Sequence, residues 1–100
     1  MTEAMLKLRL YKWAKKHGGI VLYPDPAMTV GAPDVIIMMR GMVLFVEVKA
    51  PGGPHRYRPR QKEMLRMLRE RGHIAGVFKD PEWLTATPED FADLLLGGEI

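Results

Sequence analysis

Asp34-Val35-Ile36-Ile37-Met38-Met39-Arg40-Gly41-Met42-Val43-Leu44-Phe45-Val46-Glu47-Val48-Lys49 reads as two apolar, β-prone runs folded back on one tight turn. Arg40-Gly41 is the only turn signal within it, so a two-residue hairpin turn sets Met39 opposite Met42. Counting outward from that turn, Asp34 faces Glu47. Residues directly opposite in a hairpin share a sheet face, with Cβ atoms about 4.5–5.5 Å apart. Two carboxylates at about 5 Å repel by about 3 kcal/mol at an effective dielectric near 20. A favourable cross-strand pair returns only about 0.2–1 kcal/mol. The pair therefore works against folding unless a cation sits with it. Lys49 is one candidate, because alternation puts it on the face of Glu47. A divalent metal is the other.

Working outward, Thr2 can cap a first helix that runs to about His17 and stops at Gly18-Gly19. Leu6, Leu10, Trp13 and Ala14 recur at helical spacing and define its buried stripe. Glu3 falls inside that stripe, where a carboxylate ordinarily serves only the helix dipole. Ile20–Tyr23 reads as a short strand ended by Pro24, and Asp25–Pro33 as a turn-rich loop leading into Asp34. After the hairpin, the loop from Ala50 to Arg58 leads to a second helix, with Pro59 at its first position and Gly72 as its stop. Met64, Leu65 and Leu68 define its core stripe, and Gln61 shares that face as a capping group or a site residue.

Ile74–Phe78 reads as a fourth strand, and Thr87-Pro88-Glu89-Asp90 opens a last helix. The order is αβββαβ(α). Strand three, helix two and strand four form a crossover that makes strand four parallel to strand three. The expected fold class is α/β, a mixed four-stranded sheet flanked by helices, over residues 1–100 as one domain.

With no cysteine there is no disulfide framework and no thiolate metal site. The start of the chain shows no signal peptide, and no apolar run approaches a membrane span, so a cytoplasmic protein is expected, with no membrane partner. The formal net charge of +3 hides an uneven distribution. Lys49 to Arg71 carries eight basic residues against Glu63 and Glu70, whereas Asp80 to Ile100 carries six acidic residues and no basic one. A basic stripe beside two paired carboxylates suits a phosphate backbone. His55, Arg56, Arg58, Arg60 and Lys62 are its candidate DNA contacts. Carboxylate oxygens without His or Cys suit Mg²⁺ or Mn²⁺. Beside a basic helix, phosphodiester hydrolysis is the chemistry that fits.

Pro33-Asp34, twelve intervening residues and Glu47-Val48-Lys49 match the PD-(D/E)XK nuclease pattern. The context Gly31-Ala32-Pro33-Asp34, Leu44 through Gly53, and Pro59-Arg60-Gln61 resembles the VRR-NUC branch of that superfamily. The resemblance implies a restriction-endonuclease-like core. It also implies metal binding by Asp34, Glu47 and the Val48 carbonyl, with Glu3 as a further acidic ligand. Lys49 would be catalytic, and Glu3 and Gln61 would match the helix-borne members of the catalytic set. Arg58 stands where that family commonly carries a capping serine. The resemblance is to stand-alone bacterial or viral structure-specific nucleases that dimerise like Holliday-junction resolvases, and it extends to larger relatives in which the domain is fused to others and acts in DNA repair. The expected activity is therefore a metal-dependent, homodimeric endonuclease for branched DNA. The alternatives are a nuclease or nickase with little structure selectivity, and a non-catalytic DNA-binding module.

Overall fold

The computed structural model describes residues 1–52 and 56–100. Helix α1 spans Glu3–Lys16, followed by strands β1 (Ile20–Leu22), β2 (Val35–Met39) and β3 (Met42–Val48). Helix α2 (Pro59–Glu70), strand β4 (Ile74–Phe78), a 3-10 turn over Pro81–Thr85 and helix α3 (Pro88–Gly97) complete the chain. The sheet runs in the order β1-β2-β3-β4, antiparallel except for the parallel β3–β4 pair. This is the mixed α/β arrangement expected from the pattern. The 3-10 turn was not foreseen; its Trp83 packs against the main core.

Arg40 (φ 47°) and Gly41 (φ 73°) both adopt positive φ, the requirement of a type I′ turn, whose twist matches that of the flanking strands. Met39 consequently pairs with Met42, and the register runs back to Val35 opposite Val46. Asp34 and Glu47 are the next facing positions.

Alternation then sorts the side chains. Val35, Ile37, Met39, Leu44, Val46 and Val48 are buried on one face, beneath Leu6, Leu10, Trp13 and Ala14 of α1 and Phe91 and Leu95 of α3. The opposite face carries Phe45, Ala75 and Val77 under Leu65 of α2. Within the expected stripe of α2, only Leu65 is fully buried, while Met64 and Leu68 are half-buried. The reason is that α2 lies over the β4 side of the sheet. Its Arg69 turns inward, donating to the carbonyls of Ala75 (2.6 Å), Leu95 (2.7 Å) and Gly98 (3.0 Å). One side chain thus satisfies acceptors at the end of α3 and the edge of β4.

Two features bring the loop before β2 to its place. Pro33 is buried. Gly31, at φ +80°, lies so close to α2 that an added Cβ would stand 2.6 Å from the Arg60 carbonyl oxygen. The loop delivering Asp34 is therefore pressed against the first turn of α2. Among the described residues, no helix is long and apolar enough to cross a membrane.

Candidate active site

A cleft of about 470 Å³ opens at the end of the sheet where β2 begins and β3 ends. Its walls include Glu3 and Lys7 from α1, Asp34 and Glu47 from the hairpin, Lys49 just past β3, and Arg56, Arg58 and Gln61 at the entry to α2. Thr2 starts α1 by accepting the Met5 N–H at 3.1 Å, which fixes the first turn that carries Glu3. Five residues from four parts of the sequence, Glu3, Asp34, Glu47, Lys49 and Gln61, thus line one cleft.

Glu47 is 1% exposed, and among the described residues neither of its carboxyl oxygens has a hydrogen-bond partner. A buried, unsatisfied carboxylate costs several kilocalories per mole, so such a group neutralises or acquires a counter-charge. Burial first, and the Asp34 carboxyl second, push its pKa up to about 9, with Lys49 offsetting only part of the rise. Asp34 behaves oppositely. Burial alone would raise it, but the Glu47 carboxyl, the Val48 N–H and Lys7 outweigh that and hold it below the ordinary aspartate value. One of its oxygens accepts the Val48 N–H at 2.9 Å, and the other lies 3.4 Å from the Lys7 ammonium. Without metal, the two carboxyls are therefore driven apart, Glu47 toward its protonated form and Asp34 toward its ionised one.

The cation expected between the carboxylates was Lys49 or a metal. Lys49 lies to one side: its ammonium donates to the Arg56 carbonyl at 3.1 Å and stands 4.7 Å from the centre of the Tyr57 ring. Lys62 stands over the same ring at 4.8 Å, so Tyr57 orders two cations beside the cleft. The cation on Asp34 is instead Lys7, which also reaches Glu3 at 3.8 Å. The four-residue spacing on one helix face signals its contact with Glu3, whereas nothing local signals its contact with Asp34. Gln61 lines the cleft and also accepts the Arg58 N–H at 2.9 Å, so it caps α2 as well. The reciprocal half of a capping box is absent because Arg58 has no acceptor atom.

Of the candidate DNA contacts, Arg56 and Arg58 line the cleft. Arg60 lies in an adjoining groove of about 370 Å³ with Gly31 and Arg58, and Lys62 is turned onto Tyr57. His55 lies outside the described residues.

Among the described residues, no group of three or more His, Cys, Asp or Glu side chains could hold a metal unaided. The donors still fit a hard divalent cation. Glu47 offers two unused oxygens in a nearly dry position, and Asp34 adjoins it. Backbone carbonyl and water would complete such a shell.

The family model described as VRR-NUC domain matches residues 10–79. No curated protein matches the sequence. A solved structure titled "VRR_NUC domain" is 24% identical, with a TM-score of 0.73, covering 85% of this chain and 92% of that one. That likeness shows the shared fold.

Proposed function

The chain belongs to the VRR-NUC family, and from that premise we propose a Mg²⁺- or Mn²⁺-dependent endonuclease that cuts branched DNA as a homodimer. Family membership carries the coarser statement, a nuclease-type domain with DNA as its partner. The observation that carries the finer one is Glu47, a buried carboxylate with no partner, facing a cleft rimmed by arginines.

Asp34, Glu47 and the Val48 carbonyl would hold the ion. When bound, it lowers the pKa of water and offsets charge developing on a phosphoryl oxygen. The remaining steps belong to the chain. Glu47 would serve as a ligand in its deprotonated form, so metal affinity would rise with pH and its charge beside Asp34 would be offset. Lys49 is held by the Arg56 carbonyl and the Tyr57 ring within reach of the cleft, as a point charge for the scissile phosphate. Arg56 and Arg58 draw the backbone in. Hydrolysis forms one P–O bond from water and breaks another to a sugar oxygen, leaving phosphate and hydroxyl ends.

A dimer is supported by the less covered face of the sheet, where Ile20, Leu22 and Val43 stay exposed, and a branched substrate by the two symmetric clefts such a dimer would offer. The test is cleavage of linear, flap, fork and four-way DNAs with Mn²⁺. Metal-dependent cutting that favours the four-way junction is expected. Equal cutting of all four would favour the less selective nuclease. Binding without cleavage would favour the DNA-binding module.

A further inference from the structure

Asp34 and Glu47 are not equivalent. Asp34 is satisfied on both oxygens, by the Val48 N–H at 2.9 Å and by Lys7 at 3.4 Å, whereas among the described residues no N–H or ammonium donor reaches either oxygen of Glu47, whose polar neighbour is the Asp34 carboxyl. Lys7 also lies 3.8 Å from Glu3, so its ammonium stands between two carboxylates carried by different elements. A helix acid together with a strand aspartate is a donor set suited to a second hard divalent ion. In this chain a built-in monovalent cation already holds that position.

We propose that Lys7 fills the second cation position of the cleft, between Glu3 and Asp34, so that the site takes a single divalent ion on the Glu47 side. This rests on the metal-dependent reading above and specifies the number of ions it uses.

Charge and geometry both support it. The side chains of Lys7 and Glu3 are 33% and 44% exposed, and pairs so exposed add little to stability. Folding alone therefore gives little reason for the contact. With Glu47 ionised, three carboxylates against Lys7, Lys49, Arg56, Arg58 and one divalent ion leave the cleft with three positive charges, enough to attract a phosphate. A second divalent ion would enter against two ammoniums and the first ion. Lys7 is also tethered by α1, whose Leu6 and Leu10 are fully buried, so the stem of the side chain is anchored next to the site.

The test counts bound Mn²⁺ by electron paramagnetic resonance of the free ion, near pH 8, without DNA. Wild type is expected to take one ion per chain. Lys7→Met should take two, with the second site tightened at least about tenfold, as expected from removing a charge a few ångströms away. Lys7→Arg keeps the charge and should stay at one ion. Lys12→Met removes a charge of α1 remote from the cleft and should behave as wild type. Two ions of similar affinity in wild type would show Lys7 displaced and overturn the proposal. So would one ion in Lys7→Met, or two in Lys7→Arg. No Mn²⁺ uptake by any variant would remove the metal-dependent reading itself, a result distinct from a wrong ion count.

Discussion

Folding carries Glu47 from water, where its carboxyl ionises near 4.5, to a position 1% exposed beside Asp34, where its pKa is pushed up to about 9. Between those values the native metal-free protein keeps a proton that the unfolded chain has released. Stability contributed this way is present below the unfolded pKa and declines as pH rises toward the folded one. Asp34 is held low, so its contribution is lost only as pH falls below the ordinary carboxylate range. The thermal midpoint of the metal-free protein should therefore fall between about pH 5 and about pH 8.5, as this linkage requires. Glu47→Gln should flatten the decline. Near the upper end it should melt above wild type by about 4–8 °C for each kcal/mol of relieved burial. Scanning calorimetry of both proteins across that range checks this, and a level wild-type profile would refute it. Adding Mg²⁺ should reverse the loss in wild type only, with affinity rising with pH as the proton is displaced. At the neighbouring residue, Lys49→Ala should reduce cleavage about 10²-fold or more while leaving DNA affinity nearly unchanged, as for loss of one preorganised charge. Arg56→Ala with Arg58→Ala should do the reverse, lowering the salt slope of binding by about 0.9 for each phosphate that is no longer neutralised. Equal affinity losses in the two variants would remove the special role of Lys49.

Among the elements, the hairpin was readable because a two-residue turn or a four-residue loop gives the same register, and only a three-residue bulged turn would slip it by one and send Glu47 to the other face. The stripe of α1 was readable for a similar reason: Leu6, Leu10, Trp13 and Ala14 recur at helical spacing, and all four are buried. Lys7 was not readable as a partner of Asp34. That pairing depends on where α1 crosses the sheet end, which is set by packing between Leu6, Leu10 and the strands rather than by any local pattern. Arg69 was hidden likewise, because a charged residue near a helix end looks solvated until the carbonyls of α3 are brought against it. Gln61 was readable as one of two things and serves both, as cap and as cleft wall. The loop before β2 offers a test at this scale. Gly31→Ala would place a Cβ 2.6 Å from the Arg60 carbonyl oxygen at a positive φ. Strain of that kind costs about 1–3 kcal/mol, and it should separate the loop from α2. The expected outcome is a lower denaturation midpoint together with weaker Mn²⁺ binding, because Asp34 moves with the loop. Unchanged metal affinity in a destabilised variant would mean that Asp34 is held by β2 alone.

For the whole molecule, the two faces of the sheet are covered unequally. On one, α1 and α3 bury every inward residue of β2 and β3 but Met42, which is half-buried. On the other, α2 lies toward β4. Alternation puts Ile20 and Leu22 of β1 and Val43 of β3 on that less covered face, at 57%, 47% and 41% exposure. Strand β1 is also a sheet edge with three residues. An apolar strip continuous with an edge strand is a surface that association would cover. A second copy is the occupant proposed, because a two-fold axis matches the strip to itself and presents two clefts related by symmetry. A four-way junction needs two symmetric nicks, which one cleft does not supply. The protein should therefore be a dimer at micromolar concentration, giving paired nicks in a four-way junction and slow cutting of linear duplex. Leu22→Glu places a charge in the strip, on its edge strand, and should yield a folded monomer. That monomer should bind Mn²⁺ as wild type does but nick junctions singly. Leu8→Glu, at another exposed apolar position on α1, is the control and should remain dimeric. Light scattering and junction-cleavage gels read both properties. A monomeric wild type that cuts linear and branched DNA at similar rates would refute the dimer and the junction preference together, while the nuclease assignment would stand on Glu47 and its cleft.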